Sequence, residues 1–226
     1  DCLATIEVFR KMGVNISKSE GVFIVEGKGL KGLEGPTSPL DFRNSGTSIR
    51  LCSGVLAAQE FSSILIGDSS LSLRPMKRIT EPLGLMGANT SSSEEGTLPM
   101  RIEPVDSLKS IKYSLPVASA QVKSCLLFAG LYSEGITEIE EKVITRDHTE
   151  RMFKQFGIPI EVFQSKSTKL IKLNKVESIN PTNIDICGDF SSASFFILAA
   201  LITPNSELLL RNVGVNPTRI GFLHAL

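Results

Sequence analysis

Three stretches of this chain decide its fold: Ser45–Ala58 (SGTSIRLCSGVLAA), Ser119–Leu131 (SAQVKSCLLFAGL) and Ser191–Leu201 (SSASFFILAAL). Each opens on small or hydroxyl-bearing residues and runs on as an apolar pattern at helical spacing. Their first residues lie 74 and 72 positions apart, and self-similarity at such a period marks a repeated supersecondary unit. A short β-rich run follows each one: FSSILIG at Phe61–Gly67, ITEIEE at Ile136–Glu141 and SELLLRN at Ser206–Asn212. A second helix comes next, reached through a basic loop: LSLRPMKR from Leu71, VITRDHTER from Val143 and NPTRIGF from Asn216. In the first two copies that helix stops at glycine, in LMGA from Leu85 and QFGI from Gln155, as a C-terminal cap requires. Alternating strands then follow, LPMRIE from Leu98 and KLIKL from Lys169.

The unit is therefore helix, strand, helix, strand, strand, and the fold class is α/β. The N-terminal CLATIEVFRKMGV and GVFIVEG match only the second half of a unit, and the C-terminal GFLHAL lies inside the second helix of another. The chain is thus expected to be an internal piece of a longer protein.

Composition sets outer bounds. At 226 residues and 42% hydrophobic content, the chain can bury one sizeable core or two smaller ones. Twenty-four basic residues balance twenty-four acidic ones, so no global field favours nucleic acid or an anionic membrane. No apolar run approaches the ~18 residues of a membrane span. Cys2, Cys52, Cys125 and Cys187 stand singly, and the only histidines are His148 and His224. That inventory does not make a zinc site, and the cysteines read as buried or inert thiols. A reduced, soluble, cytoplasmic protein is the expectation.

Chemistry is expected at the helix starts, where free N–H groups and a partial positive charge favour anions. In RNSGTSIRL, Gly46 allows close backbone approach, and Thr47 or Ser48 is positioned to cap the helix. In VASAQVKS, Ser119 offers a hydroxyl and Gln121 an amide. Arg50, Arg74, Lys123 and Arg146 recur near these loops, and guanidinium groups pair well with carboxylate and phosphate oxygens. Taken singly, each loop is equally well an ordinary cap flanked by solvated cations; repetition in successive copies favours a site for several anions. There is no Walker loop and no G-x-G-x-x-G fingerprint. Asp147 and His148 have no nucleophile-elbow partner, and Asp147 is expected to cap its helix. Phe195 and Phe196 read as core, and SSSEEG from Ser91 and SKSTK from Ser165 as solvated loops.

At these loops the chain resembles the 5-enolpyruvylshikimate-3-phosphate synthases. The strings that carry the resemblance are NSGTSIRL, SLRPMKRI, ASAQVKSCLLFAGLY, RDHTERM, GDFSSASFFILAALI and LRNVGVNPTRIGFL. They stand in family order over nearly the whole chain. The resemblance implies two domains, each of three βαβαββ units about a pseudo-threefold axis, with helix N-termini facing the cleft between them. Residues 1–187 would be most of one domain and 188–226 the opening of the second, with Gly188 and Asp189 near the crossing; the apolar face of the helix from Ser191 (Phe195, Phe196, Leu198, Leu201) would then lack its proper partners.

The implied reaction joins shikimate-3-phosphate to phosphoenolpyruvate with release of phosphate, without metal or organic cofactor. By the same resemblance Ser119, Ala120 and Gln121 would hold the shikimate phosphate region, with Thr145 and Arg146 as further candidates. Asn44, Gly46, Arg74 and Gln121 would surround phosphoenolpyruvate, and Arg50 would support the Gly46 loop. Arg43 departs from the family pattern, which commonly has glycine there. Residues before 1 and beyond 226 would supply the missing cations and the proton-transfer carboxylates, so no catalytic acid or base is assigned here. The remainder of the two-domain chain is thus an expected partner, and a monomer the expected state; neither nucleic acid nor membrane is expected to bind. The alternatives are a non-catalytic anion-binding or structural module and the sister transferase acting on UDP-N-acetylglucosamine. The latter lacks RDHTER and ASAQVKS, and its reactive cysteine loop has no counterpart around Cys52, Cys125 or Cys187. An RNA-end-modifying enzyme of similar repeats fits less well, given neutral charge and no aromatic stacking strip.

Overall fold

The computed structural model describes residues 1–226. The chain opens with helix α1 (Cys2–Lys11) and a hairpin of β1 (Asn15–Ser19) and β2 (Val22–Glu26). A first complete unit follows: β3 (Leu40–Asp41), α2 (Gly46–Leu56), β4 (Ser63–Ile66), the single turn α3 (Ser69–Ser72), α4 (Lys77–Leu85), β5 (Asn89–Ser91) and β6 (Met100–Glu103). The second is β7 (Lys112–Ser114), α5 (Ala120–Gly130), β8 (Ile136–Glu141), α6 (His148–Gln155), β9 (Ile160–Gln164) and β10 (Lys169–Asn174). Two further helices, α7 (Phe190–Ile202) and α8 (Gly221–Ala225), complete the chain.

The two units have one topology. Their sheets run β3-β4-β6-β5 and β7-β8-β10-β9, each with a parallel first pair followed by antiparallel neighbours. Each unit is thus βαβαββ, and the α/β repeat expected from the sequence is present. The opening strands β3 and β7 were not legible: two and three residues are too few to show alternation. The glycine stops are as expected, Gly87 at φ 88° and Gly157 at φ 72°, where only glycine is unstrained. Of the SSSEEG and SKSTK segments, residues 92–96 and 165–168 are loop between β5 and β6 and between β9 and β10, whereas Lys169 is not solvated as expected but opens β10 with its side chain buried against Glu141 and Glu150.

Helices α2 and α5 form the centre. A Cβ on Gly54 would fall 2.0 Å from the carbonyl oxygen of Cys125, so the two backbones meet where they cross. Around that crossing Ile49, Leu56, Leu126 and Leu127 join strand residues such as Leu65, Ile102, Ile139 and Ile171 in one core. Cys52 and Cys125 are buried in it, and burial pushes the Cys52 thiol up to about 12 and the Cys125 thiol up as well. Cys2 and Cys187, by contrast, are exposed. Phe128 and Phe153 meet edge to face, with centroids 5.3 Å apart, and tie α6 to α5.

A buried charge cluster sits beneath the second sheet. The Lys123 ammonium of α5 lies 3.1 Å from Glu141 at the end of β8 and 2.8 Å from Glu150 of α6. Lys169 of β10 is 3.5 Å from Glu150 and 3.9 Å from Glu141. All four side chains are buried, and their charges balance. Neither Glu150 oxygen has a directed hydrogen bond, so charge alone joins it to the lysines.

Residues 188–226 leave the apolar face of α7 without partners, as expected of an incomplete domain, and depart from the reading of its phenylalanines as core and of SELLLRN as a strand. Phe195 and Phe196 are 76% and 59% exposed rather than core, because nothing in this chain packs on that face of α7. The SELLLRN run forms no strand, since no neighbouring strand pairs with it; one bridge, Gly188 to Val213, closes this region. An apolar groove of about 400 Å³ lies between α7 and this run, lined by Phe190, Ile197, Leu208 and Leu223 among others. Likewise Val22, Phe23, Ile24 and Val25 of β2 are exposed. No helix is long and apolar enough to cross a membrane.

Two substitutions test the packing. Gly54→Ala gains up to ~1 kcal/mol of helix propensity but must push the α2 and α5 backbones apart, which costs about 2–3 kcal/mol. A net loss of stability with an unchanged urea m-value is therefore expected. Arg43 holds φ 50°, a left-handed conformation that costs a non-glycine residue about 1 kcal/mol, and its exposed side chain makes no hydrogen bond. Arg43→Gly relieves this at some cost in unfolded-state entropy, so a gain of about 0.5 kcal/mol in the same urea titration is the expected result.

Candidate functional site

The N-termini of α2 and α5 come together at one end of the central crossing. Ser45, not Thr47 or Ser48, caps α2: its Oγ accepts from the Ser48 N–H at 3.2 Å. The cap falls earlier than expected because Gly46 is already helical. Ser119 caps α5, accepting from the Val122 N–H at 3.3 Å. Its hydroxyl proton remains available, so Ser119 can still donate to an anion. Ala120 is the first residue of α5 and brings its N–H to the same helix end.

Gln121 joins the two helix starts. Its Oε1 accepts from Arg50 Nη1 at 3.1 Å, and its Nε2 donates to Thr47 Oγ1 at 2.9 Å. One amide hydrogen is left over. Arg50 also donates to the carbonyls of Gly46 at 3.1 Å and Pro75 at 3.2 Å, which is the supporting role expected of it. Arg74, on the loop after α3, donates from Nη2 to Asn44 Oδ1 at 3.3 Å. A Cβ on Gly46 would lie 2.9 Å from Nη1 of both Arg50 and Arg74; the missing side chain is what lets the two guanidinium groups approach. Asn44, Gly46, Arg50, Arg74 and Gln121 thus form one connected group.

Its field is positive. Burial first, then Arg74 and Arg78, hold the Arg50 guanidinium below its ordinary value. The carboxylate in contact with the group, Asp68, is committed: Oδ1 caps α3 at Leu71 N and Oδ2 accepts from Asn44 Nδ2 at 2.7 Å. The Leu71 N–H, then Asn44, hold its carboxyl below the usual range. Cations held together in this way, over two helix N-termini, favour a bound anion.

Thr145 and Arg146 lie on the loop between β8 and α6, beside the first turn of α5, where Lys123 Nζ donates to the Arg146 carbonyl at 2.8 Å. The Arg146 side chain is exposed and makes no hydrogen bond or ion pair within the chain. The Thr145 hydroxyl instead donates to Glu141 Oε1. Lys123, expected among the anion-facing cations, is fully buried in the charge cluster and does not face the site. Its position one helical turn after Ser119 hid this, since the sequence gives no sign of Glu141 and Glu150 beneath it. Asp147 stands at the N-cap position of α6 but makes no capping bond; it takes Arg151 Nε at 2.9 Å and Asn216 Nδ2 at 2.6 Å. Burial raises its carboxyl, and Asn216 with Arg151 outweighs this, so it rests below the ordinary value.

Known proteins share this arrangement of sequence. The family model described as EPSP synthase (3-phosphoshikimate 1-carboxyvinyltransferase) matches residues 1–226. The chain is 51% identical to a 3-phosphoshikimate 1-carboxyvinyltransferase of Methylococcus capsulatus, the match covering all of this chain and 51% of that one. A protein of the same description from Bacillus cereus is 50% identical, again over the whole chain and 52% of the relative. The chain therefore spans about half the length of the curated relatives it matches. Among solved structures, EPSP synthase from Acinetobacter baumannii superposes with a TM-score of 0.87 at 47% identity, covering 98% of this chain and 50% of that one. With the family model matched from end to end and the fold shared at this identity, the chain belongs to the EPSP synthase family.

Proposed function

We propose that this chain forms one wall of an enolpyruvyl transferase site. In the full protein that wall serves transfer of the enolpyruvyl group from phosphoenolpyruvate to shikimate-3-phosphate, a step of chorismate and aromatic amino-acid biosynthesis. The observation that carries the proposal is the junction of two capped helix N-termini through Gln121, with Arg50 and Arg74 drawn around Gly46. Ser119, Ala120 and Gln121 are assigned to the shikimate phosphate region together with the Thr145–Arg146 loop. Asn44, Gly46, Arg74 and Gln121 are assigned to phosphoenolpyruvate. Guanidinium groups and helix dipoles are suited to charge that builds on carboxylate and phosphate oxygens during transfer.

We further propose that residues 1–187 belong to one domain, that 188–226 open a second, and that the remainder of a cytoplasmic, monomeric chain completes the cleft. The carboxylates bonded to the assigned residues, Asp68 to Asn44 and Glu141 to Thr145, support this. Asp68 caps a helix turn and Glu141 is locked among lysines, so neither is placed to move a proton. The sister transferase fits less well, because its chemistry uses a reactive cysteine, and Cys52 and Cys125 are buried with raised thiols.

Two measurements test the reading. Phosphate release by the 226-residue chain from the two substrates should stay at background, since acid–base and complementary charge terms each supply several kcal/mol. Turnover at an ordinary metabolic rate would contradict it. NMR titration with shikimate-3-phosphate should show weak binding at the α5 N-terminus, and phosphoenolpyruvate should bind more weakly still. Ser119→Ala with Gln121→Ala should lower shikimate-3-phosphate affinity by about tenfold, whereas Ser92→Ala in the β5–β6 loop should leave it unchanged. Loss of a cap costs about 1 kcal/mol, so thermal melting should accompany the titration. Equal affinities in all three proteins would place the site elsewhere and favour a structural module.

A further inference from the structure

Only half of the buried charge cluster touches the loop assigned to phosphate. Glu141 accepts from Thr145 through both the backbone N–H, at 3.3 Å, and the hydroxyl. Lys123 neutralises Glu141 at 3.1 Å and donates to the Arg146 carbonyl at 2.8 Å. Three hydrogen bonds thus fasten two consecutive residues to a fully buried ion pair. The other half, Lys169 and Glu150, balances charge at 3.5 Å and makes no hydrogen bond to the loop. A buried ion pair gains little stability over well-packed apolar residues of the same volume; what it does supply is directed bonds in fixed places.

We infer that Lys123 and Glu141 are positioning residues. They hold the Thr145–Arg146 backbone so that the free Arg146 guanidinium is presented to the phosphate of a phosphorylated sugar acid bound at the α5 N-terminus. Thr145 belongs to the same device: with its hydroxyl proton given to Glu141, it anchors the loop and has no donor left for phosphate. The inference rests on the assignment of that loop under the proposed function. It adds that affinity is set by residues that never touch the ligand. A flexible arginine must lose conformational freedom on binding, and a fixed backbone beneath it lowers that cost.

The test uses two electrically balanced pair variants. Lys123→Met with Glu141→Met removes one charge of each sign and all three loop bonds. Lys169→Met with Glu150→Met also removes one of each sign but spares those bonds. Both are expected to fold, as judged by thermal melting and by amide spectra of α5. Shikimate-3-phosphate titration should then show about tenfold weaker binding for the first pair and binding within about twofold of the parent for the second. Arg146→Ala should weaken binding comparably, and adding it to the first pair should cause no further loss, because both act through one group. Equal losses in the two pair variants, no loss in the first, or multiplying effects with Arg146→Ala would overturn the positioning role while leaving the phosphate site in place. An Arg146→Ala protein that binds as tightly as the parent would instead remove the loop from the site, and the positioning role with it.

Discussion

The backbone contact between Gly54 of α2 and Cys125 of α5 is the constraint on which the rest of the structure depends. Helices in contact usually keep their axes about 8–10 Å apart, at a distance set by the side chains between them. Without a Cβ at Gly54 the axes approach, and Gln121 bonds both Arg50 and Thr47 across the gap. The packing glycine lies well inside the helix and the polar junction at its start. The apolar core thus sets the geometry of the charged surface above it.

That surface is built by economy of donors. Ser45 and Ser119 satisfy helix N–H groups with their oxygens. Asp68 satisfies another and holds Asn44, which in turn holds Arg74. The chain of bonds neutralises few of the cations it arranges. Burial of Arg50 and its repulsion by Arg74 and Arg78 are the cost of a site prepared before any anion arrives, and the depressed Arg50 guanidinium registers both, burial first.

Much of this was legible in the sequence, for reasons that differ by residue. The repeat was visible because its helices are long and apolar, and because Gly87 and Gly157 end them where left-handed backbone is needed. The grouping of Asn44, Gly46, Arg74 and Gln121 followed from resemblance, and the structure brings these four together. What was missed depends on contacts distant in sequence. Lys123 looked like a surface cation because its partners, Glu141 and Glu150, lie 18 and 27 residues further on. Asp147 looked like a cap because its position is that of a cap, yet Arg151 and Asn216 compete for it more strongly. Phe195 and Phe196 looked buried because composition speaks for a helix's preference and not for whether a neighbour is there to meet it.

The strand orders of the two complete units carry a last consequence. Every ladder closes inside its own unit, and no strand of β3–β6 pairs with one of β7–β10. The units meet through helix faces and the side-chain bonds of Gln121 to Arg50 and Thr47, and never through strand register, where a one-residue slip turns every side chain over. A pairing error during folding is therefore confined to a single four-stranded sheet. By the same logic, a residue inserted into the β5–β6 or β9–β10 loop lengthens one hairpin and is not felt in the alignment of the other sheet.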